Sequence, residues 1–345
     1  MTDILFILKR KDGYNCVTDT TIGLSTGLYN SASFVSDMLN SNGIKSEIAV
    51  AIDNNCIDRI VSEHSPSFVI IEALWVVPDK FSILQKLHPH VTWIIRLHSE
   101  TPFMAGEGIA MDWVGEYLAF KNVLVAVNSP RMYAEINTLD RHINSFTTKV
   151  IYLPNCYPTT FKKKSLDKNK DTIDIGCFGA VRPLKNHLMQ AFAAIEFADI
   201  IGKKLNFHIN ASRVEMNGQP VVRNIVGLFG HVYYSGHRLI NHPWQPRDKF
   251  LELCGQMDIG MQVSFSETYN IVGADIISQG VPLVGSKEIP WQVVHKADPT
   301  CSKDIVRLLK ASYNLPSINT YMNQHGLKFY NNSTEKIWLN FFKGN

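Results

Sequence analysis

A chain of 345 residues, 45% of them hydrophobic and 19% charged, can bury one large core or two ordinary ones, which excludes an intrinsically disordered protein. The formal charge of +3 is too slight for a dedicated nucleic-acid binder, although it permits a nucleic-acid partner. Six cysteines, Cys16, Cys56, Cys156, Cys177, Cys254 and Cys301, include no Cys-x-x-Cys pair, so reduced, packed thiols are expected rather than a zinc ribbon or a redox pair.

After Met1-Thr2-Asp3, the apolar run Ile4–Leu8 is too short for a secretory signal and lacks a small-residue cleavage site; it predicts a first buried strand. No later stretch reaches the roughly 20 apolar residues of a membrane span, so the expectation is a cytoplasmic protein without membrane insertion. A helix over about Leu28–Asn40 follows, stopped by Asn42-Gly43, then strands at Glu47–Ile52, Phe68–Glu72, Trp93–Leu97 and Val123–Val127. Their interiors are apolar throughout, as parallel strands covered on both faces require. From Pro154 to Thr172 the periodicity stops and Lys162, Lys163, Lys164, Lys168 and Lys170 crowd a polar stretch, which reads as a solvated connector; a contact for a polyanion is the other reading.

The alternation then restarts, with strands at Ile173–Phe178, Leu205–Ile209, Ile259–Val263 and Pro282–Val284. The pattern predicts an α/β protein of two Rossmann-like domains: residues 1–155, a linker at 156–172, a second domain at 173–331, and a closing helix at 332–345. Asn332 could cap that helix with Glu335 three residues on, and Ile337, Trp338, Phe341 and Phe342 form one apolar stripe that would pack back on the first domain.

Two segments carry chemistry. Strand Ile173–Phe178 runs through Gly179 into Ala180-Val181-Arg182-Pro183-Leu184-Lys185-Asn186-His187 and a helix. A helix start beyond the carboxyl end of a strand attracts anions, and Arg182 and Lys185 add cations that would oppose the helix dipole if no anion came. A diphosphate fits. The second segment follows strand Ile259–Val263 and enters a helix from about Asn270 to Gln279, closed by Gly280-Val281-Pro282. Glu267 and Asp275, eight positions apart, bracket the helix start, where carboxylates can accept hydrogen bonds from sugar hydroxyls and the amides near Tyr269, Asn270 and Ile271 can meet a phosphate.

The run from Phe265 to Val284, with Glu267, seven residues, Asp275, then Gly280-Val281-Pro282, resembles the donor segment of GT-B glycosyltransferases of the GT4-like group, with Asp in place of their second Glu. Arg182-x-x-Lys185 resembles that group's diphosphate pair; the first half matches in architecture alone. The resemblance implies a GT-B fold of two facing Rossmann-like domains with a cleft between them, acceptor side first and nucleotide-sugar side second. It implies transfer of a sugar from a UDP- or GDP-linked donor to an acceptor hydroxyl, with retention and without a metal; no Asp-x-Asp motif occurs. Arg182 and Lys185 would neutralise the leaving diphosphate, and Glu267 with the segment Tyr269, Asn270, Ile271 and Val272 would hold sugar and β-phosphate. Asp275 would take the ribose, Arg213 would lie at the nucleobase, and His98, at the end of the fourth strand, would approach the transferred sugar. Asp19, Gly23 and Glu100 are acceptor-side candidates, and Asp19, His98 or Glu100 would be the base if the reaction inverts. The acceptor is left open: a glycan, a small molecule, or a hydroxymethylated DNA base as in compact phage glycosyltransferases. A nucleotide-sugar epimerase and a non-catalytic nucleotide-sugar-binding protein are the alternatives.

Overall fold

A computed structural model describes residues 2–10, 26–145 and 147–344, and its contacts divide the chain into two compact units. One holds the described residues up to Pro158 together with those from Asn331 onward; the other runs from Thr159 to Tyr330.

The first unit runs β1 (Ile4–Lys9), α1 (Thr26–Ser41), β2 (Ser46–Ala51), α2 (Cys56–His64), β3 (Phe68–Glu72), α3 (Lys80–Leu87), β4 (Thr92–Leu97), α4 (Thr101–Met104), α5 (Ala110–Ala119), β5 (Val123–Val127), α6 (Pro130–Ile143) and β6 (Val150–Tyr152). Its sheet is ordered β2-β1-β3-β4-β5-β6, with all neighbours parallel. Ile4, Leu5, Phe6 and Ile7 are fully buried because both faces of β1 are covered, which is why the strand reads as an unbroken apolar run.

The second unit runs β7 (Thr172–Gly176), α7 (His187–Ile200), β8 (Lys204–Ile209), α8 (Gln219–His231), β9 (Arg238–Asn241), α9 (Arg247–Gln256), β10 (Ile259–Gln262), α10 (Ile271–Ser278), β11 (Leu283–Ser286), β12 (Lys296–Ala297) and α11 (Ser302–Asn314); the last helix, α12 (Pro316–Lys343), starts in this unit and from Asn331 belongs to the first. Its parallel sheet is ordered β12-β11-β10-β7-β8-β9. Counted from its own first strand this is the order 3-2-1-4-5-6, whereas the first unit follows 2-1-3-4-5-6, so the two sheets differ in winding.

The expected strands form, with ends displaced by one or two residues, and three short ones join them: β6, β9 and β12. These edge strands have two to four residues each, too few for a periodicity to show. Asn332 does not cap a helix. It lies inside α12, an unbroken helix of 28 residues, and Glu335 instead accepts from Asn42 Nδ2 at 2.9 Å. Burial carries α12 past the polar stretch: fully buried Asn319 exchanges hydrogen bonds with both the N–H and the C=O of Leu283 at 2.9 Å, and Leu327 is fully buried. In the first unit Trp338 donates to Pro154 O at 2.8 Å and packs on Phe6, while Phe341 and Phe342 meet Phe68 edge-on.

Three of the five connector lysines make side-chain contacts within the second unit, while Lys162 and Lys163 are exposed. Lys164 donates to Met257 O, Lys170 pairs with Asp258 at 3.5 Å, and Lys168 lies 5.0 Å from the ring centroid of Tyr313. Among the described residues no helix is long and apolar enough to cross a membrane.

Candidate functional site

In the second unit the chain leaves β7 for β8 and β9 on one side, then crosses to β10 on the other, so the carboxyl ends of β7 and β10 form the switch point where open α/β sheets bind ligands. Both segments singled out above leave the sheet there. Gly179 follows β7 at φ +109, a left-handed conformation that favours glycine, and its N–H donates to Asn210 Oδ1 at 3.3 Å. The chain then turns through a 3-10 segment, Pro183–Lys185, into α7. Asn186, at φ 56, makes that junction and anchors it by donating from Nδ2 to Val263 O at 3.1 Å and Pro299 O at 2.8 Å.

Lys185 Nζ forms a buried ion pair with Glu267 Oε1, the two side chains being 12% and 9% exposed. This brings the two sequence segments into one cluster. Burial lowers the Lys185 pKa and Arg182 adds to the effect, against the pull of Glu267. Asn270 Nδ2 donates to the same Glu267 oxygen and to Gln262 Oε1, both at 3.0 Å, while Asn270 Oδ1 caps Gly273 N at 2.6 Å. Asn270 therefore caps the start of α10 and orients Glu267, which is more than the donor contact expected of it. Two buried glutamines complete the frame: Gln190 links Lys185 O to Val263 N, and Gln262 Nε2 reaches Phe178 O at 2.9 Å. Neither was singled out in the sequence. The available signal was a polar residue inside an otherwise apolar element.

Tyr269 is buried, its ring against Trp291 and Tyr330 and its carbonyl accepting from Trp291 Nε1 at 2.7 Å, so its side chain belongs to the core. Ile271 and Val272 form the first turn of α10, where helix geometry leaves amides without intrahelical partners. Asp275 sits a turn further on, 3% exposed, 2.8 Å from Arg247 of α9. Its carboxylate has a cationic partner that the sequence did not suggest.

Arg182 pairs with Glu215 at 3.6 Å, and Arg213 donates from Nε to the same carboxylate at 2.7 Å while lying over the Trp244 ring at 4.8 Å. A parallel bridge, Val181 with Val214, clamps this loop to the Arg182 turn, and Gly218 permits it: a Cβ there would lie 2.1 Å from Val181 O. Arg213 and Arg182 thus share one anionic partner. Among the described residues no group of three or more His, Cys, Asp or Glu side chains could hold a metal ion. His237 accepts from Leu205 N and pairs with Asp199, both at 3.0 Å.

In the first unit, His98 follows β4 and binds Glu72, the last residue of β3. Glu72 is also paired with fully buried Arg96 at 3.0 Å. Burial alone would raise the Glu72 pKa, but Arg96 and His98 hold it below the usual carboxylate value; burial lowers the His98 pKa despite Glu72. Glu100 is 3% exposed and accepts from Arg131 Nε at 3.1 Å. Asp19 and Gly23 lie outside the described residues.

No protein-family model matches the chain, and no curated protein matches it in sequence. Solved structures do match. A UDP-forming α,α-trehalose-phosphate synthase from Burkholderia xenovorans aligns over 100% of this chain and 98% of its own, at 10% identity and a TM-score of 0.68. The N-terminal domain of Candida albicans trehalose-6-phosphate phosphatase aligns over 100% and 96%, at 9% identity and a TM-score of 0.71. An E. coli trehalose-6-phosphate structure bound with UDP-2-fluoro glucose aligns over 99% and 97%, at 9% identity and a TM-score of 0.65. At such identities the likeness speaks for the fold, and that fold is GT-B: two parallel, helix-covered six-stranded sheets.

Proposed function

We propose that the chain is a glycosyltransferase that takes its sugar from a UDP- or GDP-linked donor bound in the second unit. The observation that carries this reading is the buried Lys185–Glu267 pair at the β7/β10 switch point, beside Arg182 and the open first turn of α10. A nucleotide sugar has complementary chemistry: its diphosphate attracts Lys185 and Arg182, and its sugar hydroxyls can donate to Glu267 once the lysine turns away. Cations already in place would then stabilise the charge that builds on the departing diphosphate. The structural neighbours support the reading, one being a UDP-forming synthase and another holding a UDP-sugar analogue.

Within this proposal the amides of Ile271 and Val272 meet the β-phosphate, Asp275 takes the ribose, and Arg213 lies at the base. His98 of the first unit hydrogen-bonds a substrate hydroxyl. The acceptor is a hydroxyl compound, and the donor motif's resemblance to the GT4-like group favours retention, with the donor phosphate taking the acceptor proton. A thermal-shift screen of nucleotide sugars tests the donor assignment: a UDP- or GDP-sugar at 100 times its Kd should add about 2.7 kcal/mol of stability. No shift with any nucleotide sugar or nucleoside diphosphate at millimolar concentration contradicts it.

A further inference from the structure

In the second unit a relay of hydrogen bonds runs outward through the sheet from Asp174 by way of His208 to His242. Asp174 of β7 and Asn206 of β8 are register partners, and His208 stands two residues beyond Asn206, so all three side chains leave the same face. Asp174 Oδ1 accepts from Asn206 Nδ2 at 2.9 Å and binds His208 Nε2 at 3.0 Å. His208 Nδ1 then lies 2.8 Å from Nε2 of His242, which follows β9. The two rings have centroids 5.1 Å apart and planes 10° apart, so the bond joins them edge to edge. Polar groups inside a sheet are costly unless each is satisfied, and here the satisfied relay ends at a ring that is only partly buried.

The protons in this relay can be placed. Burial alone would raise the Asp174 pKa, but the hydrogen bonds from His208 and Asn206 hold it below the usual value, so the carboxylate is ionised and only accepts. His208 Nε2 must therefore carry a proton. In a neutral His208 ring Nδ1 is then bare and accepts from His242 Nε2–H, which leaves Nδ1 of His242 as an acceptor. Burial, with His208 beside it, lowers the His242 pKa and agrees with a neutral ring. Among the described residues no group hydrogen-bonds to that Nδ1.

His242 stands beside the proposed donor site. Its ring packs on that of Phe178, directly before Gly179, with centroids 6.2 Å apart; Phe178 also meets Phe250 of α9, the helix whose Arg247 pairs with Asp275. The His242 backbone N–H donates to Ile209 O at 2.8 Å, and Asn241 Oδ1 accepts from Ala211 N at 2.8 Å, which fixes this turn against the loop that carries Arg213. Trp244, two residues on, is 39% exposed and lies under the Arg213 guanidinium. An exposed aromatic face, a cation and an oriented acceptor beyond the carboxyl ends of β8 and β9 suit a nucleobase. We propose that His242, oriented by Asp174 through His208, is a specificity residue whose Nδ1 accepts the ring N–H of a lactam base, uracil or guanine, and so discriminates against cytosine and adenine, which have a bare nitrogen at that position. The guest rests on the proposed function; the tautomer does not.

Nitrogen NMR at pH 8 of the full chain labelled with 15N-histidine, the His242 signals being identified by their loss in His242→Phe, should show a proton on Nε2 and a bare Nδ1. A proton on Nδ1 overturns the proposal whether or not any nucleotide binds. Calorimetric titration should show UDP or GDP binding at least about ten-fold tighter than CDP and ADP, the scale of one hydrogen bond, and the tighter of the first two identifies the base. In His242→Phe that ratio should shrink to within about two-fold while the affinity for inorganic pyrophosphate is kept. Binding of UDP or GDP without preference, or a preference that survives in His242→Phe, refutes the proposal and leaves the donor site standing; binding of no nucleoside diphosphate removes both. In His208→Phe, which leaves the acceptor in place but unoriented, both tautomers of His242 should appear, and a pure Nε2–H ring there would refute the relay. If a variant does not fold, the two measurements on the unsubstituted protein decide.

Discussion

Lys185 and Glu267 neutralise one another in a nearly dry setting, and this sets what their substitution should do. Removing one member of a buried pair strands the other, at a cost of about 3–5 kcal/mol. Glu267→Gln should therefore be less stable by about 3 kcal/mol in urea unfolding, and nucleoside diphosphate should restore much of that loss by giving Lys185 a new anion. Equal stabilisation of Glu267→Gln and the unsubstituted protein by the same diphosphate would contradict the shared role. His187 makes a second case. It opens α7 fully buried, with both ring nitrogens lacking hydrogen-bond partners, and burial together with Lys185 and Arg182 lowers its pKa to about 3. The unfolded chain binds a proton near pH 6.5 and the fold does not, so this contribution to stability is complete above pH 6.5 and is lost as pH falls towards 3. Between pH 7 and pH 5 the protein should lose about 2 kcal/mol more than His187→Leu does. Equal losses would place the acid sensitivity elsewhere.

At the scale of elements, α10 depends on its two ends. Asn270 supplies the cap from a left-handed backbone at φ 66, so Asn270→Ala should cost about 1–2 kcal/mol and also loosen Glu267. A drop in thermal stability with an unchanged KM for the donor would show that the cap is all Asn270 provides. Gly280 closes the helix at φ +79, and a Cβ there would lie 2.7 Å from Lys162 O; Gly280→Ala should be the more damaging change because backbone must move. Much of this element was legible, since a strand, a loop with acid residues and a Gly-x-Pro stop leave a local imprint. Its use of Asn270 was not, because a cap and a ligand contact call for the same polar side chain at the same position. Asp275 hid Arg247 for a related reason: their pairing joins two helices 28 positions apart in the chain, a relation no local spacing encodes.

For the molecule as a whole, the alternation of apolar runs and helix-period segments was enough to foresee two α/β units with parallel sheets. Strand order was not, because pairing is decided by crossovers, and two sheets with the same local pattern wind as 2-1-3-4-5-6 and 3-2-1-4-5-6. That difference shapes the proposed site, since the winding of the second sheet puts the ends of β7 and β10 next to one another and so joins Lys185, with Arg182 acting on its charge, to Glu267. On the proposed function, this junction binds and activates a nucleotide sugar. Release of nucleoside diphosphate from UDP- and GDP-sugars, with and without a mixture of hydroxyl acceptors, tests it most directly. The unsubstituted protein should release it, and Arg182→Ala and Lys185→Ala should each lower that release by roughly ten-fold to a thousand-fold. Release that is absent from every donor, or is undiminished in both variants, would contradict it.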